Sequence, residues 1–311
     1  MVSSSSASYI LYPLFLSIRD PHFKLWNGRD IDYQGLCDII LSQSSYGADG
    51  LPFNFFARLT STTSNKRHAH KDNYTFISEV VLQIGDNVFE VQAENVIILH
   101  NQKYFASVAD NFKNFEKAVE EKNLQFKLTK EVKGQRKNMI VFKFTFKNLS
   151  SIIIVANKHF KTLSVEMDGD FNGAADIRGL LGSPKMSGLL DREGNVMNDD
   201  DMDSYGSQWQ IRDEPKLFKD QSRSPQYPEK CEIVNQHTAL NLRGGAGRDT
   251  SSSSSHRRLL GVGVEDDKDC IKFEALAAES CSQYRGIKKE WCLRDVLKTG
   301  DLELAEDLFY S

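Results

Sequence analysis

The chain has 311 residues, enough for one large domain with an appendage or for two modest ones. A net charge of −4, from 39 basic and 43 acidic residues, is too small to suggest a surface built for nucleic acid or membrane. Ordinary hydrophobic content (40%), seven prolines and frequent Phe, Val and Ile favour a β-rich body, and no stretch is long enough for a transmembrane helix.

In chain order, the apolar run Tyr9–Leu16 lacks a basic leader beyond the terminus and leads straight into Asp20. It therefore reads as a first strand rather than a signal segment. Asp20-Pro21 enforces an extended entry. Phe23 and Leu25 alternate with His22, Lys24 and Trp26, and Asn27-Gly28 suits a two-residue hairpin turn. Ile31 and Tyr33 carry the return strand, Gly35 breaks it, and Cys37–Leu41 begins another. Strands are expected at Asn54–Leu59, Val80–Ile84, Val88–Val91 and Val96–Leu99, with Gly85-Asp86-Asn87 as a hairpin turn. Thr60–Asn73 reads as a polar, basic loop. Phe112, Phe115 and Val119 have helical spacing within Asn111–Asn123.

The clearest β signal is Phe142, Phe144 and Phe146 alternating with Lys143, Thr145 and Lys147, which predicts a half-buried antiparallel strand. Ile152–Val155 and Leu163–Met167 follow as a pair. Leu240–Leu260 is rich in Gly and Ser and reads as a flexible linker. Three helices are expected beyond it, around Ala275–Cys281, Trp291–Leu297 and Leu302–Leu308.

Three motifs carry a family resemblance. Asp-Pro-His-Phe at Asp20–Phe23, with the Trp26-Asn27-Gly28 turn and Tyr33-x-Gly35-x-Cys37, resembles the opening of a von Willebrand factor type D (VWD) domain. Gly179-Leu180-Leu181-Gly182 looks like the family's Gly-Leu-Cys-Gly segment, and Tyr205–Ile211 looks like its closing Phe-Gly-x-x-Trp-x-Val strand. The Cys-containing end of the chain looks like the small helical module that often follows such a domain. The resemblance implies a mainly β protein: an antiparallel β-sandwich or barrel-like VWD domain at 9–212, an extended linker at 213–264 and a small helical module at 265–311.

The cysteine matching Cys37 in that family bonds the cysteine of Gly-Leu-Cys-Gly, a position held here by Leu181. Cys37 is then either a free buried thiol, the simpler reading, or paired elsewhere. A helical core this small needs a staple, so Cys281–Cys292 is expected to join the first two helices, with Cys231–Cys270 as a second pair. Such bridges favour an oxidising compartment.

The resemblance also implies calcium in the loop after Gly182, helped by Asn27, but Lys185 in that loop has the wrong sign for a cation site. Two other clusters compete for an ion. Asp168, Asp170, Asn172 and Asp176 match half of an EF-hand loop whose twelfth position is Gly179 rather than Glu. Asp199 and Asp200 sit in an acidic run with Asp201 and Asp203. Turn chemistry and a solvated loop are the simpler explanations of both. Some VWD domains cleave their own Asp-Pro bond, but Arg19 stands where those carry glycine. Asn73 and Asn148 are glycosylation acceptors in a secreted chain.

The sequence contains no His-Glu-x-x-His, no Gly-x-Ser-x-Gly and no phosphate-binding-loop motif. The expected role is non-catalytic: an extracellular or cell-surface protein in adhesion, matrix or multimer assembly, partnered by other proteins or matrix glycans and capable of self-association. The alternatives are a precursor cut at Asp20-Pro21 or after Arg258, and an intracellular ligand-binding β protein with reduced thiols.

Overall fold

A computed structural model describes residues 21–26, 28–45, 52–62, 74–107, 112–121, 124, 126–133, 138–147, 150–169, 176–183, 188–198, 201–222, 231–233, 264–300, 302 and 305. The expectations at Tyr9–Leu16, Asp20, Leu240–Leu260 and Arg258 lie outside them. So does nearly all of the expected third helix, Leu302–Leu308. The described residues fall into two compact units, a large β unit and a small helical one.

The β unit is a curled antiparallel half-barrel, and the protein is mainly β. A short hairpin of β1 (His22–Lys24) and β2 (Asp30–Asp32) opens it, with Gly28 at φ +82° in the turn. β3 (Gly35–Leu36) and β4 (Asp38–Ser44) follow, then β5 (Phe53–Thr62), β6 (Tyr74–Ile84), β7 (Asn87–Gln92), β8 (Ile97–His100) and β9 (Lys103–Ser107). Helix α1 (Phe112–Glu121) leads to β10 (Lys127–Lys133), β11 (Met139–Thr145), β12 (Ser151–Asn157) and β13 (Thr162–Asp168). The main sheet runs β10-β11-β12-β13-β6-β7-β8-β9, and β5 adds to β6 and β4 to β5.

The alternation expected at Phe142–Phe146 is present. Ile140, Phe142 and Phe144 face the core, whereas Lys143 and Thr145 are half-buried. Met139 and Val141, on the opposite face, are buried too and pack with Val155. Aromatic rings fill the concave side of the sheet. Phe89 meets Phe105, Phe126 and Phe144 with ring centroids 5.3–5.9 Å apart. Each such edge-to-face pair adds about 0.5–1.5 kcal/mol beyond area burial.

Helix α1 packs on both terminal strands of the sheet, β9 and β10. Its Phe115 is buried against Phe105 and Phe142, and Ala118 and Val119 pack behind it at helical spacing. Lys130 of β10 reaches beneath it. Its ammonium donates to the Ser107 carbonyl of β9 at 2.8 Å and lies 5.3 Å from the Phe115 ring centre.

The core also contains charge. Arg58 on β5 is 1% exposed and forms a two-pronged pair with Asp38 of β4 at 2.8 and 2.9 Å. It donates to Glu79 of β6 at 2.7 Å. Burial alone would push the guanidinium down, but Asp38, Glu79 and Glu90 together hold it above its ordinary pKa. The Phe218 ring lies 4.4 Å from its carbon, and the Lys219 backbone N–H donates to Glu90 at 2.7 Å.

Three sequence expectations are corrected. Tyr205–Ile211 is not a strand: α2 (Met202–Gln208) runs through it, and only Gln210 makes a bridge, to Ile39. The Asp201 side chain accepts from the Ser204 N–H, and Asp203 sits in the first turn, so these two acids of the run start a helix. Second, the stretch expected as a linker from residue 213 belongs in part to the β unit. Leu217 and Phe218 are buried in its core, and β14 (Glu232–Ile233) pairs with β3.

The third correction concerns cysteines. Cys231 bonds Cys37, not Cys270, so Cys37 is not a free thiol. The β3–β14 register explains this: Leu36 faces Glu232, so the next pair along is Cys37 and Cys231, with Cα atoms 5.2 Å apart.

In the helical unit, α3 (Val264–Ser280) and α4 (Ile287–Thr299) are joined by the Cys281–Cys292 disulfide. The buried stripe is Phe273, Ala277 and Cys281 on one side and Trp291, Cys292 and Val296 on the other. Gly300 adopts the left-handed conformation that ends α4, its N–H on the Val296 carbonyl.

Candidate functional site

The Trp26 N–H of the first motif donates to the Leu181 carbonyl of the second at 3.0 Å, and both stretches meet the third beside β4, which directly continues the first. One edge of this strand pairs with β5. Along the other, Leu180 and Leu181 donate to the Ile40 and Leu41 carbonyls at 2.9 and 3.1 Å, and Arg178 and Gln43 exchange backbone hydrogen bonds. Ile40 in turn donates to the Trp209 carbonyl at 2.8 Å, and Ile211 to that of Asp38 at 3.0 Å. Gly179 lies against this edge so closely that a Cβ would stand 2.4 Å from the Leu41 carbonyl oxygen.

Two buried tyrosines lock the arrangement. Tyr205 donates its hydroxyl to the Leu180 carbonyl at 2.8 Å. Tyr33 packs its ring onto Gly206, where a Cβ would come within 2.1 Å of Cδ2, and curls its hydroxyl over Gly35. The ring is fully buried and touches both Gly206 and Gly35. Gly206→Ala is therefore expected to cost about 1–3 kcal/mol through overpacking, read as a lowered denaturation midpoint. An unchanged midpoint would show that the Tyr33 ring is free to move.

Burial pushes the Tyr33 phenol up to about 12; the Ser207 hydroxyl pulls it down and Asp203 adds to the rise. Burial raises Tyr205 as well. A phenol with a raised folded pKa supports the fold fully below its unfolded value near ~10 and loses that support as pH climbs through the folded value. Stability is thus expected to fall from about pH 10 upward. Guanidinium midpoints across that range test this, and Tyr33→Phe should flatten the slope. A Tyr33→Phe slope equal to that of the parent would refute the assignment.

Beside this junction lies a cleft of about 780 Å³. One wall is the end of β4 and residues 176–179, and the other is the turn at Asp191–Gly194 with the segment after Trp209. Asp176 accepts the Ser44 hydroxyl and the Ser45 N–H. Burial works against its charge, but these bonds outweigh it and hold the pKa low. Asp191 is kept low chiefly by the Asn195 amide, which with its own N–H closes the turn.

Arg192 fastens the second wall. Its guanidinium donates to the carbonyls of Gln208 and Gln210 and to Glu214 at 2.7 Å, so a cation sits at the C-terminal end of α2. Burial opposes the Glu214 charge, but the Arg212 N–H and Arg192 prevail and hold its pKa low. The lining offers carboxylates, hydroxyls and two guanidinium groups alongside apolar residues that include Ile177 and Trp209.

Of the residues singled out for calcium, Asn27, Asp170, Asn172, Asp199 and Asp200 lie outside the described residues, as do the glycosylation acceptors Asn73 and Asn148. Asp168 ends β13 opposite Ser151, and Asp176 lines the cleft. Among the described residues, no group of three or more His, Cys, Asp or Glu side chains is placed to hold a metal ion. Sequence reasoning missed Arg192, which looks like an ordinary turn residue in Asp-Arg-Glu-Gly-Asn. It also missed Arg58, whose one signal was an arginine inside the apolar strand Phe55–Leu59. No family model matches the chain, and no curated protein matches it in sequence.

Proposed function

We propose that the chain is a non-catalytic scaffold of the VWD type, extracellular or at the cell surface, that serves adhesion, matrix or multimer assembly by binding other proteins or matrix glycans. The observation that carries the reading is the contact among the three motif-bearing stretches: the Trp26 N–H donates to the Leu181 carbonyl, Tyr33 packs on Gly206, and Gly179–Gly182 and Trp209–Ile211 line β4, the strand that follows Cys37. Supporting it are two disulfides, a pattern suited to an oxidising compartment. No helix among the described residues is long and apolar enough to cross a membrane.

A thiol count on native protein produced through the secretory pathway tests the compartment. One reactive or readily unmasked thiol, that of Cys270, is expected from five cysteines and two bridges. Five titratable thiols would end the secreted reading. Intact mass of the same sample should give a single chain; two fragments would instead favour processing at Asp20-Pro21 or after Arg258.

A further inference from the structure

We infer that the cleft beside β4 seats a basic peptide: an extended segment of a partner protein that presents lysine or arginine side chains. The inference rests on the scaffold reading above and adds the chemistry of the partner. Three features of the cleft lead to it: size, distribution of charge and apolar lining.

At about 780 Å³ the cleft has the dimensions of a pocket for an organic ligand, far more than one ion fills. Its walls carry Asp176, Asp191, Glu193, Asp213 and Glu214 against Arg178 and Arg192. Arg192 and Glu214 bind each other, and Arg192 is also spent on the Gln208 and Gln210 carbonyls. Among the described residues, the charge left to face a ligand is four carboxylates against Arg178.

Those carboxylates do not converge. No three acidic, His or Cys side chains among the described residues are grouped for a metal, whereas calcium needs six to eight oxygens at roughly 2.3–2.6 Å. Charges spread along two walls match several cations spaced along a chain rather than one ion. Asp176 and Asp191 are fixed in place by Ser44, Ser45 and Asn195, and Asp176, Glu193 and Asp213 are exposed. The rest of the lining includes apolar Pro52, Leu190 and Pro215, with Ile177 and Trp209 2% exposed each. Lysine and arginine carry the complementary profile, an apolar stem ending in a charged head.

The test is fluorescence anisotropy of the full chain with a labelled heptapeptide, Lys-Leu-Lys-Val-Arg-Ala-Lys, against its counterpart with glutamate at every basic position. Saturable binding of the basic peptide alone is expected, weakened about fivefold between 50 and 300 mM salt as screening dictates. Glu193→Lys combined with Asp213→Lys should weaken it at least tenfold, and because both residues are exposed the variant's thermal midpoint should match the parent's. The same variant should gain affinity for the glutamate peptide, which a misfolded protein would not do.

No saturable binding of the basic peptide, or binding indifferent to the double reversal, overturns the inference. So does uptake of calcium alone in a titration calorimeter. Self-association abolished by the reversal would assign the cleft to a second copy and overturn the partner-protein assignment. None of these results alters the thiol count or intact mass, so the scaffold reading stands or falls separately.

Discussion

Arg58→Met is expected to lower the stability of the β unit by about 3–5 kcal/mol, the usual cost of removing one partner from a buried ion pair. The methionine fills much of the volume, so the loss comes from charge. Asp38 and Glu79 are 7% and 2% exposed, and the substitution strips both of the guanidinium that offsets them. It also removes the cation beneath Phe218, which loosens the strap at Leu217–Lys219 where it crosses β7 through Glu90. Urea unfolding followed by the fluorescence of Trp26 and Trp209 measures the effect, with Trp291 replaced by Phe to silence the helical unit. Adding Asp38→Leu and Glu79→Leu should recover much of the loss, because the two carboxylates that bind the guanidinium go with it, while Glu90 keeps the Lys219 N–H and the Gln92 amide. A drop of less than about 1 kcal/mol for Arg58→Met would mean that water reaches the two carboxylates.

The second large effect is expected on removing the Cys37–Cys231 bridge. The two residues are 194 apart in sequence, so the bond closes most of the β unit into one loop. Chain entropy alone assigns such a closure about 5 kcal/mol, and losing a native bridge usually costs about 2–5 kcal/mol. Cys281–Cys292, with a separation of 11, is worth about 3 kcal/mol on the same scale. β14 has two residues and cannot hold β3 by pairing alone. Cys37→Ser with Cys231→Ser should therefore shift the β-unit midpoint and speed amide exchange at Glu232 and Ile233. A double variant as stable as the parent, with those amides still protected, would place the fastening elsewhere.

The legible parts of this fold were those written in local periodicity. Phe142 and Phe144 alternate with Lys143 and Thr145, so β11 needed no tertiary information. Gly85 supplied the turn between β6 and β7, and Phe115 with Val119 marked the helical face of α1. Tyr205–Ile211 went the other way. Its resemblance to a closing strand was stronger than its local chemistry, yet the Asp201 cap and Asp203 set up a helical turn before the chain reaches Ile39. The Cys37–Cys231 bond depends on the register of a two-residue ladder between segments nearly 200 positions apart, which spacing cannot reveal. The cleft was half visible. Asp176 stood out as an acidic residue in a turn, but its neighbours across the gap, Asp191 and Glu193, come from a turn that the sequence pattern did not distinguish.

β9 and β10 are consecutive along the chain yet occupy opposite ends of the main sheet, so one short crossing that contains α1 spans the seam between them. A sheet border normally offers a row of unsatisfied amides to any neighbouring molecule and is a template for runaway strand addition. Here the helix packs on both borders and Lys130 ties them to each other through Ser107. The consequence is a barrier to fibre growth at the seam: a new strand pairing there has first to lift the helix and break the lysine's hold on its carbonyl.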